Sequence, residues 1–100
     1  MDLSPIDRLD RRSPEHARAV LRAWLEELGV NQTWLAKQMD VSAATASRWI
    51  SDMNPRRHRE ALEILTGGRV LAHWWRTRDE WRRIEKAYRA RAALERAQAA

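Results

Sequence analysis

Residues 31–50 read NQTWLAKQMDVSAATASRWI, and the rest of the chain is best read outward from them. Asn31 has the side chain of a helix N-cap, whose oxygen accepts from the N–H groups that a first turn leaves without partners. After it, Leu35, Ala36 and Met39 recur at helical spacing and share one face, which predicts a short helix from Gln32 to Met39. Asp40 and Val41 interrupt the pattern, and Ser42 is a second cap, opening a helix that runs to about Ile50. Val41, Ala46 and Trp49 fall on the inward side of this second helix. Its outward side is nearly bare, a run of small residues with one arginine, in a chain otherwise crowded with arginine and bulky apolar groups. Two short helices about a tight turn form the pattern of a helix-turn-helix. Small outward side chains let such a helix bring its backbone close to base edges in a major groove about 12 Å wide.

Upstream, Ser13 and Pro14 have the form of an N-cap and first helical position. Ala17, Val20, Leu21, Trp24, Leu25 and Leu28 then follow at 3.6-residue spacing until Gly29. Positions 1–12 mix charges with Pro5 and show no period, which predicts a mobile arm. Downstream, Asn54 and Pro55 repeat the cap-plus-proline signal and predict a fourth helix presenting Ala61, Leu62 and Leu65, stopped by Thr66-Gly67-Gly68. Residues 71–75 read as a brief helical or turn segment closing the core. Thr77-Arg78-Asp79-Glu80 has the form of a capping box, opening a helix to about Gln98 with Trp81, Ile84 and Tyr88 along one side. The predicted fold class is all-α. Its organisation is an arm at 1–12, a helix-turn-helix domain at 13–76 and a C-terminal helix at 77–100.

One hundred residues allow one compact domain. There is no cysteine, so a disulfide framework and a thiolate metal site are excluded, and a reducing, cytoplasmic location is expected. No apolar run is long enough for a membrane span or a signal peptide. The net charge of +5 is uneven: residues 55–100 carry twelve basic against six acidic side chains. Such asymmetry points to a polyanionic partner, with nucleic acid ahead of a membrane surface.

On Gln32, Leu35, Ala36, Val41, Ser42, Ser47, Arg48 and Trp49, residues 31–50 resemble the helix-turn-helix of the lambda-repressor/Cro-like family of small transcriptional regulators. The resemblance implies a five-helix domain with an additional C-terminal helix, and double-stranded DNA as partner. It further implies that Gln32 donates to a phosphate, and that Ala43, Ala44, Thr45, Ser47 and Arg48 face base edges or the adjacent backbone. Arg48 is the prime base-reading candidate, because a guanidinium can bond guanine O6 and N7 together. Asn31, Thr33 and Ser42 join Gln32 as phosphate candidates. So do Asn54, Arg56, Arg57 and Arg59, where three arginines gather at a predicted helix start that disfavours cations unless an anion is present. Two positions depart from the family pattern. Asp40 stands where a glycine is usual, and Ala43, often polar in the family, can offer only a methyl contact.

His16, His58 and His73 share no metal-ligand spacing, so no metal is expected. Gly67-Gly68 lacks the features of a phosphate loop, no cofactor is indicated, and no nucleophile and base can be paired, which argues against an enzyme. Trp74, Trp75 and Trp81 crowd one region with Ile84 and Tyr88, a residue mix typical of interfaces, and are the candidate homodimer contact, with core packing against the first helix as the alternative. The leading expectation is a dimeric repressor of phage or mobile-element type on an inverted repeat. The alternatives are an antitoxin-like or accessory regulator whose C-terminal helix captures a protein through Trp81, Ile84, Tyr88 and Leu94, or an interaction adaptor that does not bind DNA.

Overall fold

The computed structural model describes residues 11–99, in which five α-helices and two 3₁₀ turns occur without a strand. Residues 1–10 of the predicted arm lie outside the described residues, and Arg11, Arg12 and Ser13 lead into the first helix without regular structure. The described chain divides into two compact units, residues 11–75 and residues 76–99.

Local chemistry explains the helix boundaries of the first unit. Helix α1 (Pro14–Leu28) opens at Ser13, whose Oγ accepts from the His16 N–H at 3.1 Å, and ends at Gly29 with φ 68°. Helix α2 (Gln32–Met39) opens at Asn31, whose Oδ1 accepts from the Trp34 N–H at 3.1 Å. It ends at Asp40, which adopts the left-handed conformation (φ 54°, ψ 48°) that the turn demands at a residue without a glycine's freedom. Ser42 Oγ accepts from the Thr45 N–H at 3.1 Å and opens α3 (Ala43–Ser51). Only three residues separate α2 from α3, and the two helices pack together.

The next segment departs from expectation. Asn54 does not cap a helix: its Oδ1 accepts from Arg18 Nη2 at 2.6 Å and its Nδ2 donates to the Trp75 carbonyl at 2.9 Å. With this side chain directed to α1 and to the end of the unit, neither of the next two helical segments has a side-chain cap. The chain after the buried Pro55 therefore makes a 3₁₀ turn, Arg56–His58, with Arg56 at φ 35°, before α4 (Arg59–Leu65) begins. Of the predicted apolar face of α4, Leu62 is buried and Leu65 half-buried, whereas Ala61 is exposed. Ile64 is also solvent-facing, at 78% exposure. Gly67 and Gly68, both at positive φ, return their N–H groups to Ile64 and Glu63 and turn the chain after α4.

The core of this unit joins Leu21 and Leu25 of α1, Leu35 of α2, Trp49 of α3, Leu62 of α4 and Trp75 of the second 3₁₀ turn, Ala72–Trp75. Trp49 and Trp75 are the largest fully buried side chains, and large aromatics dominate the apolar area that a small domain can bury.

The second unit is α5 (Arg78–Ala99), twenty-two residues and so about 33 Å long. Its capping box is formed: the Glu80 N–H donates to Thr77 Oγ1 at 3.2 Å and the Thr77 N–H donates to Glu80 Oε1 at 3.4 Å. The Arg76 guanidinium lies 5.1 Å from the centre of the Trp81 ring, and Arg91 pairs with Glu95 at 3.0 Å one turn along. Among the described residues no helix is long and apolar enough to cross a membrane.

Candidate nucleic-acid interface

Helix α3 has two unlike sides. Ala46 and Trp49 are buried and Ile50 is half-buried, which fixes the opposite side toward solvent. There Ala43, Ala44, Arg48 and Ser51 are exposed, with Thr45 and Ser47 half-buried at the flanks. The small residues therefore do face outward, and Arg48 is the long side chain among them. Thr45 is partly committed, since Ser42 Oγ donates to its Oγ1 at 2.9 Å, and Ser51 Oγ donates to the Ser47 carbonyl at 2.9 Å. Ser51 was not expected at this surface; its position three residues beyond Arg48 puts it on the same face.

The first turn of α2 presents Asn31, Gln32 and Thr33, all exposed. The Asn31 and Ser42 side-chain oxygens are engaged in capping their own helices, so what they offer a ligand is limited to their remaining hydrogen-bonding capacity. Gln32 and Thr33 have solvent-facing side chains of the type that donates to phosphate oxygens.

The basic segment after α3 is tied to it through an aromatic contact. The His58 ring lies 5.1 Å from the Trp49 ring, centre to centre, so the inner face of α3 and the 3₁₀ turn share one anchor. Arg56 and Arg57 are exposed on that turn, and Arg59 is half-buried at the start of α4. Among the described residues, Arg56 is one of two non-glycine residues at positive φ, a conformation costing on the order of 1 kcal/mol that the buried Pro55 and the His58 N–H to Pro55 carbonyl bond of 2.7 Å hold in place. Asn54 is half-buried and makes one bond inside the unit at each end of its amide, so what it offers a phosphate is its second N–H.

Of the candidate homodimer residues, two lie in the core of the first unit. Trp74 and Trp75 are core residues of the first unit, 7% and 0% exposed. The 3₁₀ turn that carries them packs against α1 and α4, and the His16 ring meets Trp74 edge-on at 4.9 Å. Adjacent tryptophans both find room inside because the tight turn sends them to different neighbours: Trp74 to His16, and Trp75 to Arg18, whose guanidinium lies 5.9 Å from its ring. On α5, Trp81 is buried, Ile84 is half-buried, and Tyr88 and Leu94 stand 40% and 47% exposed.

Among the described residues no three His, Asp or Glu side chains gather as a metal site would require. Comparison of the chain with protein-family models, with curated proteins and with solved structures finds no match.

Proposed function

We propose that this protein is a sequence-specific DNA-binding regulator of transcription, built on a helix-turn-helix of the lambda-repressor/Cro-like kind and acting as a dimeric repressor on an inverted repeat in the cytoplasm. The observation that carries the reading is the outward side of α3. Alanine, serine and threonine surround a single exposed arginine on a helix whose other side is locked by Trp49. A surface of this shape suits close approach to a groove better than it suits a protein partner, because it has no large apolar side chain to bury. The exposed Arg56 and Arg57, tethered to α3 through His58 and Trp49, add the sequence-independent attraction that phosphate contacts supply. Ala43 and Ala44 read no base by hydrogen bonding, so discrimination falls on Arg48, on thymine methyl contacts and on duplex shape. Dimerisation follows from need: one module of this size buries only ~600–1,000 Å² on DNA, and pairing half-sites multiplies specificity. Tyr88 and Leu94 are exposed apolar groups on α5 that a second copy or a protein partner could cover, which keeps the accessory-regulator reading as the second one.

The test is selection of bound duplexes from a random pool, with affinity for the enriched sequence followed over salt concentration. An enriched inverted repeat, lost steeply as salt rises, is the expected result. Arg48→Ala then relaxes preference at one base position by ~1–3 kcal/mol, whereas Arg57→Ala weakens all sequences alike and lowers the salt slope by about one. Absence of binding at low salt would refute the reading.

A further inference from the structure

Helix α3 ends differently from the two helices before it. Helices α1 and α2 stop at left-handed residues, Gly29 and Asp40, whose N–H groups turn back to the last carbonyls. The cap of α3 is Asp52 at φ −151°, and the N–H groups of Asp52 and Met53 both return to a single acceptor, the Arg48 carbonyl, at 2.8 Å. Two of the carbonyls beyond Arg48 take their donors from α1. Arg22 Nη1 of α1 donates to the Ile50 carbonyl at 2.9 Å, and Arg18 Nη2 donates to the Asp52 carbonyl at 2.8 Å as well as to Asn54 Oδ1. Arg18 and Arg22 are four residues apart and so share one side of α1. They deliver two guanidinium groups to the end of α3 where the helix dipole is negative, and hydrogen bonds of this charge-assisted kind are stronger than neutral ones. Arg18 is only 7% exposed, while Arg22 is exposed apart from this contact.

The held turn is also the turn that carries Arg48. Its carbonyl accepts both returning N–H groups, and Ile50, whose carbonyl Arg22 holds, is two residues further on. We propose that Arg22, with Arg18 behind it, is a positioning residue for the reading helix: it fixes the height and tilt at which α3 presents Arg48 and does not itself touch DNA. This rests on the DNA-binding reading above. Base discrimination by a guanidinium depends on placement within a few tenths of an ångström, since a bidentate bond to guanine requires both N–H groups within 2.7–3.2 Å of their acceptors. A clamp on the last turn therefore acts on specificity, and a phosphate ligand at the same place would act on affinity for every sequence.

The experiment compares wild type, Arg22→Ala and Arg22→Lys on the duplex that the wild type enriches and on an unrelated duplex, each over a salt series, together with amide hydrogen exchange of the free proteins. Arg22→Ala is expected to lose about five-fold in affinity for the enriched duplex, with the unrelated duplex and the salt slope unchanged, and Arg22→Lys, which keeps a donor of similar reach, to recover most of the loss. In the free protein the amides of Asp52 and Met53 are expected to exchange about five-fold faster in Arg22→Ala and at the wild-type rate in Arg22→Lys. A salt slope lowered by about one, with both duplexes weakened equally, would make Arg22 a phosphate ligand and overturn the proposal. So would unchanged amide exchange. A wild-type chain that enriches no duplex overturns the DNA reading itself, an outcome separable from the others because it appears before any variant is made.

Discussion

Helices α3 and α5 are stabilised from opposite directions. With nine residues α3 falls below the ~12–15 at which an isolated helix becomes even marginal in water. It is held by its surroundings: Trp49 is buried within the core, and Arg18 and Arg22 reach its end from 34 and 28 residues away. With twenty-two residues α5 exceeds that threshold, opens with its own capping box and carries an ion pair between Arg91 and Glu95 four residues apart. The helix offered as the DNA reader is thus the one whose position is set by tertiary contacts. That is a requirement of base reading, because a helix that frays or tilts on its own cannot present Arg48 in one place.

The largest expected break in this contrast is Arg18→Met. The Asp52 carbonyl and Asn54 Oδ1 lose a charged donor in a nearly buried setting, and Met fills the volume without offering an N–H. Unfolding in urea should show residues 11–75 destabilised by about 2–3 kcal/mol, with tryptophan fluorescence as probe, since five of the six tryptophans lie in that unit. A loss under 0.5 kcal/mol would mean that Arg18 adds little to the hold that Trp49 and Arg22 have on α3.

The same contrast explains which parts of the molecule could be read from the sequence. Ser13, Asn31, Ser42 and the pair Thr77 and Glu80 act on N–H groups within three residues, so their capping roles follow from spacing, and the structure has them in those roles. Asp40 took the left-handed conformation for an equally local reason. Asn54 carried the same local signal and misled, because two partners 36 residues upstream and 21 residues downstream claimed its amide. For Trp74 and Trp75 the sequence leaves an interface and the core both open, and the deciding feature is a 3₁₀ turn, which rotates successive side chains by about 120° and parts them. Arg18 and Arg22 left one faint signal, two cations on a helix whose neighbouring positions Ala17, Leu21 and Leu25 are buried. Which carbonyls they serve is a property of the packed fold. At the candidate site, the outward placement of Ala43, Ala44 and Arg48 was legible from the inward spacing of Ala46 and Trp49, whereas the tether from His58 to Trp49 was not.

A smaller effect tests the α5 side. Thr77→Ala removes the oxygen that accepts from the Glu80 N–H and should cost α5 about 1 kcal/mol at its first turn. Amide exchange of Glu80 and Trp81 should speed accordingly, while the amides of the last turns keep their rates, since a cap acts within one turn. Uniform acceleration along α5 would mean that the helix is no longer locally specified.

The smallest effect concerns a contact that is long-range in sequence like the clamp and exposed like α5. Arg69 donates twice to Glu27, at 2.8 and 2.9 Å across 42 residues, and both side chains are about half exposed. The bonds from Arg69 hold the Glu27 carboxyl below its ordinary value of 4.5. Because the folded pKa lies below the unfolded one, the pair's contribution is complete above pH 4.5 and is lost as pH falls through the lowered folded value. Glu27→Gln should therefore melt slightly below wild type at pH 7, and the gap should close as the pH is lowered well below 4.5. It should also close at neutral pH in about 1 M salt, where the screening length falls to ~3 Å. A gap that persists in acid would show that Glu27 acts through packing. Separation along the chain makes a contact hard to read in advance, but burial decides how much it stabilises: Arg18, nearly buried, is expected to outweigh Arg69, which has the better paired geometry and far more water around it.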